Sequence, residues 1–279
     1  MSFSLAEVRI LVRGGGDLAS GVILRLVHAG FRVLLTELPQ PLTVRRTVSF
    51  SQAVYDGQIR VEDVVAHRIN ALAEAQAAWQ AGELPVLIDA QADARLDFNP
   101  HVLVDARMRK KPPELGRDCA PLVVGLGPGF DAGSNCDAVV ETNRGPFLGR
   151  VIWSGPAEAD TGVPESVNGM RAERVLRAPC DGALHAVAVI GDRLAPGALV
   201  AEVAGRPVAS PFAGVLRGLV QDGLRVNSGE KIGDVDPRND PRLCWLVSDK
   251  ALAVGGGVLE AILGSPTFRS GRLFESQQL

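Results

Sequence analysis

The chain has 279 residues, of which 46% are hydrophobic and 22% are charged, and its formal net charge is −3 at pH 7. A chain of this length can bury a sizeable core, so we expect one large domain or two modest ones. The longest run of like charge that we find is Arg109-Lys110-Lys111, which is too short for the basic face of a duplex-binding protein. Nucleic acid is therefore not an expected partner.

The chain shows no sign of a membrane or secretory segment. No apolar stretch approaches the roughly 20 residues that span a bilayer, and the N-terminal residues MSFSLAEVRI lack the layout of a secretory signal. We expect a cytoplasmic protein with no membrane partner. The cysteines, Cys119, Cys136, Cys180 and Cys244, form no CxxC pair, which predicts reduced thiols and neither a zinc site nor a disulfide framework.

Residues 8–37 follow the pattern of a strand, a glycine-rich turn, a helix and a second strand. An apolar run ends at Val12, apolar residues recur at helical spacing at Leu18, Val22 and Leu26, and a second apolar run ends in Glu37. This is the first unit of a doubly wound parallel sheet. The predicted fold class is α/β, with a Rossmann-like parallel sheet in the N-terminal half.

The turn VRGGGDLASG fits the dinucleotide-binding fingerprint. Small residues at Gly14, Gly16 and Ala19 let the backbone approach a pyrophosphate, and the following helix presents free N–H groups to it. Glu37 lies 21 residues after Gly16, where an acidic side chain holds ribose hydroxyls. The alternative is a tight strand-to-helix turn with a solvated Glu37. The predicted cofactor-binding residues of this unit are Gly14, Gly15, Gly16, Asp17 and Glu37.

The alternation of helix and strand continues downstream. Residues 71–81 carry a helical pattern, and residues 84–89, 101–105 and 122–126 read as buried strands. Glu37, Asp89 and Asp105 come at the carboxyl ends of predicted strands, which share one ligand-binding crevice in a parallel sheet. For any one of them, capping of the next helix or turn is the alternative interpretation.

A second glycine-rich turn, GLGPGF, ends the strand at residues 122–126. Its N–H groups can form a nest for an anion, and the alternative is a rigid loop. Arg45, Arg46, Arg107 and Arg109 follow strands and can offer forked donors to such an anion. The predicted binding residues of this part of the crevice are Asp105, Arg107, Gly125, Gly127 and Gly129.

An internal repeat occupies the C-terminal half. Residues 178–203 match residues 210–235 at an offset of 32, with short strand-like runs and regularly placed glycines. The repeat resembles the biotinyl and lipoyl carriers, which implies a barrel-sandwich hybrid. In those carriers the modified lysine lies on the hairpin between the halves, here residues 204–207, yet this chain has no lysine between Lys111 and Lys231. We therefore expect no biotin or lipoate and interpret the domain as a docking or covering module.

The predicted organisation has four parts. Residues 1–145 form the Rossmann-like nucleotide-binding domain, and residues 146–176 are a connecting segment. Residues 177–238 form the inserted all-β domain, and residues 239–279 carry a helix that returns to the first domain. Ser248 and Asp249 are the predicted cap of that helix. The run Gly255 to Gly257 inside it predicts close packing against another backbone or a ligand.

Eight motifs occur along the chain: VRGGGDLASG, TELPQPLTVRRTVSF, LVDARMRKKP, GLGPGF, VVETNRG, LGRVIWSG, RVLRAP and VSDKALAVGGGVLEAIL. Together they resemble the bacterial accessory proteins of the selenium-dependent molybdenum hydroxylase system, relatives of the maturation factors of xanthine and carbon monoxide dehydrogenases. The resemblance implies preparation or insertion of a molybdenum cofactor, with a nucleotide or the pterin dinucleotide in the crevice and a molybdenum hydroxylase as partner. It implies no defined reaction.

The chain departs from this family pattern in two places. Pro146 stands where the family often has histidine, and Glu165 follows Thr161-Gly162-Val163-Pro164 where it usually has glycine. A catalytic role of that histidine is therefore not expected here. The remaining candidate for chemistry is Cys136, whose thiol can receive or deliver sulfur; its alternative role is that of a small buried hydrophobe.

Two other functions stay open. An NAD(P)-dependent oxidoreductase is the first, with Glu37 favouring NAD because a carboxylate repels a 2′-phosphate. Tyr55 is the single tyrosine and so the one candidate for a tyrosine proton donor. A non-catalytic scaffold that docks through the β domain is the second. Homo-oligomerisation is the default expectation.

Overall fold

A nine-stranded mixed β-sheet forms most of the N-terminal part in the computed structural model, which describes residues 4–160, 169 and 172–270. The order across it is β10-β9-β7-β6-β1-β2-β5-β4-β3, while β8 and β11 form a separate two-stranded ribbon. The strands are β1 (Arg9–Arg13), β2 (Arg32–Glu37), β3 (Gln58–Val61), β4 (Val64–Ile69), β5 (Leu84–Ile88), β6 (Val102–Asp105), β7 (Leu122–Leu126), β8 (Asp131–Ala132), β9 (Ala138–Val140), β10 (Val151–Ile152) and β11 (Gly155–Pro156).

The centre of this sheet is parallel, from β4 across to β9. Its strands are nearly continuous apolar runs, and Ile10, Leu11 and Val12 of β1 are completely buried. Such runs are typical of strands covered on both faces. The parallel arrangement brings Arg13, Glu37 and the other strand-end residues to one edge of the sheet.

Two long helices lie side by side against the sheet. The helix α1 packs along α5, and α5 also contacts β7, β9 and β10. No helix in the described part of the chain is long and apolar enough to cross a membrane. The helices are α1 (Asp17–His28), α2 (Ala53–Asp56), α3 (Ala75–Gln80), α4 (Arg95–Phe98), α5 (Asp249–Gly264) and α6 (Pro266–Arg269).

Glycines allow these two helices to approach closely. A Cβ atom on Gly21 would collide with the backbone of Ala251, and one on Gly255 would collide with the Gly21 carbonyl. A Cβ on Gly257 would collide with the loop before β10, whereas one on Gly256 would meet no atom within 4 Å. The predicted close packing against another backbone is confirmed for Gly255 and Gly257 but not for Gly256.

The repeat region forms two four-stranded antiparallel sheets, ordered β12-β19-β17-β14 and β16-β15-β13-β18. Strands related by the offset of 32, such as β13 and β17 or β15 and β19, lie in different sheets, so each half of the repeat contributes strands to both. We call this unit the β domain. Its strands are β12 (Val175–Arg177), β13 (Gly182–Ala186), β14 (Arg193–Leu194), β15 (Leu199–Val203), β16 (Arg206–Ala209), β17 (Gly214–Leu219), β18 (Arg225–Val226) and β19 (Lys231–Asp236).

The segment after β2 joins the sheet to the β domain. The Arg45 guanidinium donates to the carbonyls of Leu243 and Leu246, at 3.1 and 2.9 Å. The Arg46 Nε donates to the carbonyl of Leu219 at 2.7 Å. Arg46 thus contacts the β domain, and Arg45 contacts the segment between β19 and α5, so both arginines predicted to meet an anion make structural hydrogen bonds.

The predicted fold class is wrong as stated. The sheet is not a parallel Rossmann-like sheet, because a β3–β4 hairpin and strand β10 add antiparallel pairings at its two edges. The hairpin escaped prediction since its turn contains Glu62, with a φ of +53°, in place of the usual Asn-Gly or Asp-Gly. The β domain consists of two separate four-stranded antiparallel sheets, and the predicted barrel-sandwich hybrid is wrong as well. The boundaries of the four predicted parts stay predictions.

Candidate functional site

A crevice lies between the carboxyl edge of the sheet and the β domain. Its first part is a cavity of about 610 Å³, which we call the glycine-turn pocket. The residues lining this pocket include Arg13, Gly14, Gly16, Glu37 and Arg107. The elements that place them are the ends of β1, β2 and β6 and the first turn of α1.

The second part is a cavity of about 580 Å³, which we call the cationic pocket. It is lined by the loop after β9, the start of α5 and the β domain, with Arg144, Lys250 and Arg217 as examples. Both cavities border on a common set of side chains, so they are two parts of one crevice. The shared residues are Asp17, Leu18, Arg45, Met108 and Lys231.

Each glycine of the first turn has a different environment. Gly14 has a φ of +92° and packs against Arg107, and a Cβ on Gly15 would collide with Leu35 and Ser51. A Cβ on Gly16 would meet no atom within 4 Å, and Gly16 lines the glycine-turn pocket. Gly16 is the N-cap residue of α1, and because it has no side chain, no cap hydrogen bond from it occupies the first N–H groups of the helix. The turn is therefore open to the pocket at Gly16.

Glu37 is buried at the end of β2 and braces the glycine turn. Its carboxylate accepts the Gly15 N–H and the Leu38 N–H, both at 2.7 Å. Burial raises the pKa of Glu37, and the two backbone hydrogen bonds oppose that rise. Glu37 lines the glycine-turn pocket, but its first role is to fix the turn.

An ionic network covers the end of β6. Arg107 forms a bidentate ion pair with Asp105, with Nε–Oδ1 and Nη2–Oδ2 distances of 2.9 and 2.6 Å. Arg107 and the fully buried Arg13 both donate to Glu114, at 2.7 and 3.2 Å. Arg109 pairs with the same carboxylate. The predicted residues Asp105 and Arg107 thus bind each other, and Arg107 also lines the pocket.

The three glycines of the second glycine turn pack against neighbouring segments of the same chain and do not line either pocket. A Cβ on Gly125 would collide with Phe130, one on Gly127 with Thr142, and one on Gly129 with the Lys111 backbone. From this turn, only Pro128 is among the residues that line the cationic pocket. The contacts favour the interpretation of a rigid loop.

Asp89 caps the turn that follows β5, which agrees with the alternative interpretation given for the strand-end carboxylates. Its carboxylate accepts the Ala94 N–H at 2.8 Å. It lines neither pocket, although Ala90 and Gln91 beside it do. The strand end near β5 therefore contributes backbone and an amide side chain to the crevice.

Cys136 lies in a buried environment away from the crevice. Cys136 is fully buried, and burial raises the pKa of its thiol to about 11. A protonated, inaccessible thiol is a poor nucleophile. The described residues hold no cluster of three or more His, Cys, Asp or Glu side chains suited to a metal ion.

The charge of the cationic pocket opposes the charge of the whole chain. Its lining carries eight Lys or Arg side chains and four carboxylates, whereas the chain has a net charge of −3. Low-dielectric walls focus such a field and attract anions. The basic residues of the pocket are Arg45, Lys110, Arg144, Arg174, Arg177, Arg217, Lys231 and Lys250.

Sequence reasoning did not find the β-domain cations of this pocket. Arg217 and Lys231 lie far along the chain from the glycine turn and fall in none of the quoted motifs, and Arg174 begins the RVLRAP motif, which by itself indicates no ligand contact. One available signal was a break in the repeat, because Lys231 and Arg217 stand where the first half has Leu199 and His185. The stretch from Thr161 to Glu165, where the chain departs from the family pattern, lies outside the described residues.

The chain is similar in sequence to a protein of Escherichia coli. No family model matches the chain. The chain is 44% identical over 254 residues to "Uncharacterized protein YqeB" of Escherichia coli (strain K12). The match covers 91% of this chain and 47% of that protein, so the chain spans about half the length of the curated relative it matches.

Two solved structures share limited similarity with the chain. One is an aspartoacylase family protein from Mesorhizobium loti, with 12% identity, a TM-score of 0.28, and coverage of 82% of this chain and 84% of that chain. The other is the ectoine utilization protein EutE from Ruegeria pomeroyi in its product-bound form. It has 12% identity, a TM-score of 0.23, and coverage of 81% of this chain and 56% of that chain.

Proposed function

We propose that the crevice binds a nucleotide or a molybdenum cofactor through its phosphate groups, and that the chain serves a molybdenum hydroxylase as an accessory or maturation protein. The observation that carries the binding proposal is the open glycine turn at Gly16 beside a pocket rich in cations. The hydroxylase role rests on the resemblance of the motifs. The same proposal places the protein in the cytoplasm.

The chemistry of the lining favours recognition of phosphate. Backbone N–H groups at the start of α1 and arginine side chains are the donors that phosphate oxygens accept. Among the described residues that line the two pockets, none is Cys or His. A molybdenum cofactor would be held by its phosphates at Gly16 and Lys231, which line the same pocket, and it would bring the metal chemistry itself.

An NAD(P)-dependent oxidoreductase is the second candidate, favoured by the position of Glu37 in the glycine-turn pocket. A tyrosine proton donor does not support it. The Tyr55 hydroxyl donates to the Pro41 carbonyl at 2.9 Å, and burial raises its pKa to about 12. Tyr55 is also not among the residues that line the crevice.

A thermal-shift screen with NAD, NADP, CTP, GTP, ATP and molybdopterin species tests the proposal. A ligand at about 100 times its Kd adds roughly 2.7 kcal/mol to the free energy of unfolding, which raises the melting temperature. We expect stabilisation by the pterin or by a nucleotide such as CTP. Stabilisation by NAD alone would favour the oxidoreductase. If no compound shifted the melting temperature, the result would contradict ligand binding and favour the non-catalytic scaffold.

A variant of the glycine turn localises the binding. Gly16→Ala adds a methyl group that meets no protein atom but projects into space at the turn. We expect a folded protein with weaker ligand binding. Gly256→Ala, which also adds a methyl group in open space but on α5, is the matched control and should bind as the wild type does.

A further inference from the structure

Lys231 holds a central position in the crevice. It is the first residue of β19 and lines both the glycine-turn pocket and the cationic pocket. No hydrogen bond or ion pair joins its ammonium group to any residue that the structure describes. Lys231 is exposed. Desolvation lowers its pKa, the carboxylates of Asp234 and Asp17 oppose that shift, and the charges of Arg174 and Arg217 add to it. The ammonium group is therefore available to an anionic ligand.

Arg217 and Arg174 stand beside Lys231 with only partial neutralisation. Both contact the buried carboxylate of Asp234, Arg174 at 3.1 Å and Arg217 at 4.0 Å. Arg217 is also 3.6 Å from Asp236. The Nε atoms of both arginines are buried without a hydrogen-bond partner in the described structure. These side chains are thus fixed in place and retain donor capacity.

The internal repeat shows that two of these cations are not required by the fold. The positions equivalent to Lys231 and Arg217 in the other half are Leu199 and His185. Leu199 is 39% exposed, and neither residue lines the crevice. The repeat therefore does not itself require a lysine or arginine at either strand position. The charged versions occur in the half that faces the glycine turn.

We propose that Lys231, Arg217 and Arg174 form a second phosphate subsite, so that the crevice takes a ligand with a diphosphate or longer polyphosphate group. The glycine turn binds one phosphate, and the β domain binds the next. This inference rests on the proposed function and extends it. It also changes the role of the β domain, which becomes part of the ligand site and not only a docking or covering module.

Isothermal titration calorimetry with inorganic phosphate, pyrophosphate and triphosphate, and with the CMP, CDP and CTP series, tests the subsite. We expect affinity to rise with the number of phosphates. Lys231→Gln should weaken pyrophosphate and CDP binding by about tenfold or more, because a charge-assisted hydrogen bond is lost. CMP binding should change much less.

Arg206→Gln is the matched control. Arg206 lies in the same β domain at the position equivalent to Arg174, is exposed, and lines neither pocket. We expect it to bind every probe as the wild type does. Melting curves of both variants should match the wild type, since neither Lys231 nor Arg206 forms an ion pair with described residues.

The possible outcomes separate the two proposals. Equal affinity of wild type and Lys231→Gln for pyrophosphate and CDP would overturn the subsite, while nucleotide binding that Gly16→Ala abolishes would still support the proposed function. Binding of pyrophosphate that depends on Lys231, without binding of any nucleotide or pterin, would support the subsite and overturn the nucleotide function. Absence of binding by every probe would overturn both.

Discussion

The Glu37 carboxylate accepts the Gly15 N–H at 2.7 Å and thereby ties the end of β2 to the turn that follows β1. A residue at this position was expected to hold ribose hydroxyls. The structure shows that one oxygen holds Gly15 and the other holds the Leu38 N–H. Any ligand contact of Glu37 therefore comes in addition to its role in shaping the turn.

Replacing this carboxylate should loosen the glycine turn. Glu37→Gln turns one acceptor oxygen into an amide donor, so either the Gly15 or the Leu38 N–H loses its partner. We expect a loss of about 1–3 kcal/mol in the free energy of unfolding, because a buried donor left unsatisfied costs that much. Urea denaturation measures the loss. An unchanged midpoint would show that the two hydrogen bonds do not stabilise the turn.

The contact between α1 and α5 predicts opposite effects for two neighbouring glycines. Gly255→Ala places a methyl group against the Gly21 carbonyl and should destabilise the protein by about 1–3 kcal/mol. Gly256→Ala adds the methyl group where no atom lies within 4 Å, and the gain in helix propensity should stabilise by up to about 1 kcal/mol. Thermal unfolding of both variants measures the difference. Equal effects would contradict the close approach of the two backbones.

His101 predicts a loss of stability in mild acid. Its Nδ1 accepts the Arg9 N–H at 3.0 Å, and burial lowers its pKa from 6.5 to about 4. The unfolded chain therefore takes up a proton before the folded protein does. The stabilisation is complete above pH 6.5 and is lost as the pH falls from about 6.5 towards 4, by on the order of 3 kcal/mol.

His101→Asn isolates this contribution from the many carboxylates that titrate in the same range. Its side-chain oxygen can accept the Arg9 N–H without a change of charge. We expect the free energy of unfolding of the variant to fall less than that of the wild type between pH 6.5 and 4, as measured by urea denaturation at each pH. Parallel curves would rule out a role for His101 in the acid sensitivity.

The cysteines should differ in reactivity. Cys136 and Cys244 are buried, and Cys119 and Cys180 are partly exposed. With its pKa raised to about 11, the Cys136 thiol should react with a disulfide reagent only after denaturation. Mass spectrometry of the labelled native protein locates the modified residues. Rapid labelling of Cys136 would restore it as a candidate for sulfur transfer, and Cys136→Ala should leave ligand binding unchanged.

Local patterns predicted the elements that depend on nearby residues. The apolar runs at residues 8–12 and 122–126 are buried strands, and the predicted cap Ser248 accepts the Ala251 N–H at 3.1 Å. The β3–β4 hairpin was missed because the Glu62 turn carries no glycine or asparagine signal. Its antiparallel edge is one reason why the Rossmann-like fold class was wrong.

The candidate site was predictable only in part, since a crevice is assembled from distant segments. Gly16 and Glu37 lie in the glycine-turn pocket, as residues of a strand–turn–helix unit can be placed from their spacing. The second glycine turn packs against other segments of the same chain at Gly125, Gly127 and Gly129, and the spacing of the glycines cannot reveal this. The approach of Lys231 to the glycine turn depends on how the β domain docks, and nothing in the local sequence encodes it.

A crystal structure of the protein with the tightest-binding nucleotide or pterin from the screen tests the central claim most directly. The account predicts phosphate density within hydrogen-bond distance of the N–H groups at Gly16 and Asp17, and a second phosphate within reach of the Lys231 ammonium. Phosphates bound elsewhere on the surface, with the crevice empty, would contradict it.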